Sequence, residues 1–192
     1  GRGEEPGQAG VDRPAIHLVE RGLDRIGQWI FATLDSTGGF TRAAAGLLDE
    51  DTTCQNKLDT AAYWAPALLE DGAPVTPTGS AAYYRPGLGA DPAAVRAYPA
   101  GLMMVAGDHA ASGPQPVGVA AWHCGASPTL TAEPPSCPRT APLGVRIAFP
   151  DCWDGEHLDS EDHRSHVARS HDGRCPADHP VPIPQLIFEV HY

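Results

Sequence analysis

Between Asp151 and Ala168 the chain reads DCWDGEHLDSEDHRSHVA, with six carboxylates, three histidines and a cysteine in eighteen positions. A helical turn over 159–166, capped by Asp159, would put Asp159, Asp162, His163 and His166 at i, i+3, i+4 and i+7 on one face. Two imidazoles and two carboxylates converging there would suit zinc, manganese or non-haem iron. The metal-ligating set on this reading is Asp162, His163 and His166, joined by His179, which is extended ahead of Pro180 and directed toward the same cleft. A divalent metal is thus the cofactor the pattern admits. The spacing is neither H-E-x-x-H nor the alternating carboxylates of an EF-hand loop.

Without a metal, the same four residues supply acid–base chemistry. His163 or His166 would carry the proton, and Asp159 or Asp162 would fix its tautomer. Ser165 is beside His166, but no G-x-S-x-G supports it as a nucleophile. A third reading competes with both: Asp and Ser side chains satisfy backbone donors in a long loop, and the histidines are hydrogen-bonding spacers. Trp153, between Cys152 and Asp154, is expected to be exposed, and these neighbours Trp153 and Asp154 form the expected sugar-contacting pair. Trp64, Tyr83, Tyr84 and Trp122 lie in apolar strands and are core candidates first. His109 and His123 read as local hydrogen-bonding groups.

Five cysteines bear on what holds this segment: Cys54, Cys124, Cys137, Cys152 and Cys175. None forms a C-x-x-C pair, which weighs against structural zinc or a thioredoxin-like site. Cys124–Cys137 and Cys152–Cys175 are the simplest pairings, other connectivities remaining open, and Cys54 is left over. Such usage implies an oxidising, extracellular compartment.

The totals narrow the partners. A net charge of −11 over 192 residues disfavours nucleic acid and anionic membrane surfaces, and leaves a cation or a neutral polymer. No run approaches the ~20 apolar residues of a membrane span. The 20 prolines and 21 glycines are about a fifth of the chain, against about 12% in an average protein. Long helices are therefore expected to be few, and short strands and turns to dominate.

The chain is expected to divide into a poorly ordered or divergent N-terminal segment, 1–35, and a single β-rich domain, 36–192. Residues 1–15 read as a disordered lead-in, 17–34 as a weak helix and 40–51 as a short one. Strands are expected at 63–69, 81–85, 95–99, 102–107, 117–124, 145–149 and 186–192, with a hairpin turn at Asp71–Gly72. In the last two strands Val145, Ile147 and Phe149, and Leu186, Phe188, Val190 and Tyr192, share a face. The fold class is mostly β: an antiparallel sandwich-like or irregular β-fold with one or two short helices. The 150–184 segment is a long connection tied by a disulfide.

In order, TTCQNKLDTAAYWAPAL, YYRPG, VRAYPAGLMMVAGD, WHC, FPDCWDGEHLDSEDHRSHVA and CPADHPVPIPQLIFEV resemble the secreted bacterial and fungal family catalogued as domain of unknown function nineteen ninety-six. The resemblance runs from about Thr52 to Tyr192. It implies export and, through relatives that carry carbohydrate-binding modules, a cell-wall or polysaccharide partner. It brings no catalytic residue with it. The family's Ser-His-x-His stretch and early cysteine are missing from RIGQWIFATLDSTGGF (25–40), which implies a degenerate copy and accounts for an unpaired Cys54. Two functions follow as expectations: a hydrolase acting on polysaccharide, or a non-catalytic glycan-binding module.

Overall fold

The computed structural model describes residues 63, 65, 68–71, 73–108, 111 and 113–192; the expected lead-in, both expected helices, Cys54, Trp64 and His109 lie outside them. The architecture is antiparallel β. A small hairpin pairs β1 (Leu69–Glu70) with β2 (Ala73–Pro74), and Asp71 between them takes φ of 51°. The main sheet contains β3 (Gly79–Arg85), β4 (Ala120–Cys124), β5 (Leu143–Ala148) and β9 (Gln185–His191), in the order β3-β9-β5-β4. A second sheet, in the order β7-β6-β8, joins β6 (Cys152–Trp153), β7 (Val167–Ala168) and β8 (Val181–Pro182). The single helical element among the described residues is a 3-10 turn, Pro92–Ala94, capped by the Asp91 carboxylate.

Alternation places the core as expected in β5 and β9, but Tyr83 (53%) and Tyr84 (41%), read as core candidates, stand exposed on the edge strand β3. Trp122, Val145, Ile147, Phe149, Leu186, Phe188 and Val190 form one buried cluster, with Tyr192 packed against it. Ala121, on the opposite face to Trp122, is equally buried, so both faces of the sheet are covered there. Only Ala120–Cys124 of the expected 117–124 strand is extended in the sheet; Val117 stands exposed in the preceding turn. The expected strands at 95–99 and 102–107 are absent. Those segments instead bond singly to other loops: Arg96 N–H to the Pro182 carbonyl (2.9 Å), and Met103 and Val105 N–H to the carbonyls of Leu158 and His163 (2.9 Å each).

The long 150–184 connection is more ordered than its lack of periodicity suggests. Strands β5 and β6 run on into one another, as do β8 and β9, forming one interrupted hairpin. Between the pairs Ala148↔Ile187 and Cys152↔Pro182 one strand advances four residues and the other five. Pro150 and Pro184 lie at this slip, where neither can donate to the ladder. Residues 154–180 are thus the tip of a long hairpin. The Cys152–Cys175 disulfide closes it (Cα–Cα 5.6 Å), and Cys124–Cys137 closes the loop after β4 (5.4 Å), both as expected.

Candidate functional site

The strap at 102–105 and the hairpin tip are stitched together. Besides the two strap amides, the ring of His166 reaches back: its Nε2 donates to the Met103 carbonyl at 2.6 Å. The other nitrogen, Nδ1, lies 2.8 Å from Ser160 Oγ. His166 is fully buried, with both nitrogens occupied by bonds that fix the loop.

No helix forms over 159–166. His163 takes φ of 54°, a left-handed conformation that breaks any helical register, so the expected common face does not exist. Asp162 acts as a turn anchor instead. Its Oδ1 accepts from Ser160 Oγ (2.8 Å) and from the amides of Arg164 (3.0 Å) and Ser165 (2.8 Å). Its Oδ2 accepts from Ser165 Oγ at 2.6 Å. The Ser165 hydroxyl and amide, foremost among these donors, hold the Asp162 carboxyl well below the usual carboxylate range. Both Ser160 and Ser165 are absorbed in the same network, which is the loop-building role that Asp and Ser side chains favour.

Of the four residues expected to act together, Asp159 and His163 do meet. The imidazole Nδ1 lies 2.6 Å from Asp159 Oδ1, and each side chain is about a quarter exposed. A second pair forms at Asp154, whose Oδ2 lies 2.7 Å from His157 Nδ1 while Oδ1 accepts the amides of Glu156 and His157, both at 2.9 Å. Desolvation works against the charged carboxylate, but these amides and the imidazole together lower Asp154 to about 2. Through the same contact Asp154 raises His157. The Trp153 indole donates to the His157 carbonyl at 2.6 Å, so the ring is fixed and half-buried, not fully exposed as the polar setting suggested.

His179 also joins the tip, from a turn rather than an extended segment: its amide bonds to the Pro176 carbonyl, and its Nε2 donates to the Ser165 carbonyl at 3.0 Å. Asp178 Oδ1 stands 3.0 Å from Nδ1, too poorly aligned for a hydrogen bond but close enough to attract a charge. Burial lowers the His179 pKa, and the contacts with Asp178 and Ser165, with the Asp154 charge, outweigh it and raise it. Of the expected metal set, Asp162 and His166 meet only through the shared Ser160 hydroxyl, while His163 bonds to Asp159 and His179 to the Ser165 carbonyl. Among the described residues no three His, Cys, Asp or Glu side chains gather as a metal shell.

One buried acid escaped the sequence reading. Asp151, fully enclosed, accepts from the Ser170 amide (2.7 Å) and hydroxyl (2.5 Å). Burial foremost, then Tyr84 and the Asp151 charge, raise the Tyr98 hydroxyl, which donates to the Pro184 carbonyl. The Asp151 charge also opposes the lowering that burial imposes on Arg169. The signal was available, since Asp151 opens the acidic run. Its apolar neighbours Phe149 and Pro150 hinted that it alone of the six carboxylates would be inside.

The model of the family described as domain of unknown function (DUF1996) matches residues 35–192, and the chain belongs to that family. No curated protein and no solved structure matches it.

Proposed function

Proceeding from that membership, which carries no reaction with it, we propose that the domain is an extracellular module that binds a neutral polysaccharide without cleaving it. The observation that carries this reading is how the polar atoms of Asp162 and His166 are used. Two of the four side chains suited to proton transfer spend their hydrogen-bonding capacity on the tip's backbone and serines and on the Met103 carbonyl of the strap. The tip also holds a clamped, half-buried Trp153 ring beside the Asp154–His157 pair, whose imidazole is exposed. An aromatic face next to carboxylate and imidazole hydrogen-bonding groups is the chemistry that sugars fit: the ring's C–H face stacks and its hydroxyls bond the polar rim. The charge of −11 favours an uncharged polymer over a polyanionic one. Two disulfides support an oxidising, extracellular setting.

A second reading rests on the Asp159–His163 contact at 2.6 Å, an arrangement that orients an imidazole for proton transfer. One experiment separates the two. Incubation with insoluble cellulose, chitin and β-glucan, read both as protein retained and as new reducing ends, is expected to give retention without release. Trp153→Ala should lower retention at least tenfold. Release of ends that disappears in His163→Ala and Asp159→Asn would replace the binding reading with hydrolysis. Neither retention nor release on any polymer would remove both.

A further inference from the structure

Away from the hairpin tip, the main sheet holds two imidazoles that each bury one ring nitrogen without a hydrogen-bond partner among the described residues. His123, Gly144 and His191 are direct cross-strand partners on β4, β5 and β9, so they form one row on the face opposite the hydrophobic cluster. The middle position is the small one. An ideal Cβ at Gly144 would fall 2.4 Å from His123 Cε1 and 2.5 Å from its Nε2, so the His123 ring lies over the glycine toward the third strand. There it meets His191 edge-on, with ring centroids 5.8 Å apart and an interplanar angle of 85°.

The hydrogen bonding of the pair is incomplete. His123 is only 5% exposed, and its Nδ1 lies 2.8 Å from the Gly125 carbonyl. A carbonyl only accepts, so Nδ1 carries the hydrogen and the neutral ring's Nε2 presents a lone pair. That Nε2 and the Nδ1 of His191 are both buried, and neither has a hydrogen-bond partner among the described residues. Orphaned buried nitrogens are costly and call for an occupant. An imidazole whose far N–H is held by a backbone carbonyl, leaving the other nitrogen bare, is the arrangement that metal-binding histidines adopt. With metal–nitrogen bonds of about 2.0–2.1 Å, two imidazoles on one ion have centroids about 5–6 Å apart, which the pair already satisfies.

We propose that His123 and His191 bind one divalent transition-metal ion, with copper(II) held most tightly, on this face of the sheet. Imidazole donors suit copper, nickel and zinc, and copper(II) leads the divalent affinity order. Arg146 and Glu189, paired across the adjacent row, set opposite charges beside the site. The Cys124–Cys137 disulfide fixes the chain one residue beyond His123. The site is separate from the glycan-binding surface, and its success or failure leaves that reading untouched.

Titration of the disulfide-intact protein with copper(II) and with zinc(II) at neutral pH tests it. One equivalent of copper is expected to bind, with a copper resonance spectrum showing two imidazole nitrogens. His123→Gln and His191→Gln should each weaken binding at least tenfold, and His171→Gln, whose side chain is 93% exposed, should not. Should either inner variant fail to fold, zinc-induced shifts of the His123 and His191 ring resonances in the unmodified protein decide the matter. Absence of binding, binding unchanged in both variants, or shifts confined to other histidines would overturn the proposal.

Discussion

The Asp151 carboxylate occupies the space where a side chain at position 87 would have to go: an ideal Cβ on Gly87 falls 1.9 Å from Asp151 Oδ2 and 3.1 Å from Ser170 Oγ. The YYRPG and FPDCWDG blocks, far apart in the chain, therefore meet at a backbone-to-carboxylate contact that only glycine permits. Gly87→Ala must displace a buried acid already committed to Ser170. Overpacking of this kind costs about 1–3 kcal/mol. Urea denaturation should show that loss, and the same substitution in an Asp151→Ala background should cost less. Equal costs in both backgrounds would mean that the two residues are not coupled.

His166 is expected to act on stability before it acts on anything else. Its two ring nitrogens tie the 102–105 strap to the hairpin tip through Met103 and Ser160. His166→Ala leaves the Met103 carbonyl and a cavity behind, and should destabilise by about 2–4 kcal/mol. Hydrogen exchange should quicken at the Met103 and Val105 amides, which bond to Leu158 and His163. A catalytic role alone would leave both measurements unchanged.

What could be read in the sequence followed from period-two alternation and from cysteine spacing. Strands β5 and β9 alternate cleanly, so their inner faces and both disulfides were legible. The 95–99 and 102–107 segments have strand-like composition but no alternation partner. Their amides go to loop carbonyls, a choice set by tertiary packing that local pattern does not encode. At the tip, helical spacing suggested a shared face for Asp159, Asp162, His163 and His166. The left-handed His163 and the serine-bridged Asp162 turn disperse that face. The structural use of Asp and Ser, visible as an alternative in the composition, is the one the chain adopts for Asp162. The His123–His191 pair was invisible because strand order, not sequence distance, brings residues 68 positions apart together.

The Cys152–Cys175 link, 23 residues apart, spans most of the hairpin tip and should account for a large share of its order. In the chain-entropy picture, a loop of this size contributes roughly 3 kcal/mol. Paired Cys152→Ala and Cys175→Ala replacement should cost about that much by denaturation, with added loss from the fully buried Cys152 site. Trp153, next in sequence, should gain exposure to a fluorescence quencher. The main-sheet amides should keep their relative protection, because β5 pairs with β9 and β4 independently of the link.

Acid should loosen the Trp153 clamp before it unfolds the sheet. Asp154 holds the Glu156 and His157 amides, and His157 in turn accepts the indole N–H. The carboxyl is lowered from 3.8 to about 2, so the folded state binds its proton less readily than the unfolded chain. Its contribution is therefore complete above pH about 4 and is lost as pH falls through about 2. Tryptophan fluorescence should report this as a transition centred near the lower value. Asp154→Asn keeps an oxygen acceptor but cannot titrate, and should abolish that transition while leaving the fluorescence at pH 7 close to that of the parent. The same transition persisting in Asp154→Asn would assign the acid response to another carboxylate and detach Trp153 from the Asp154–His157 pair.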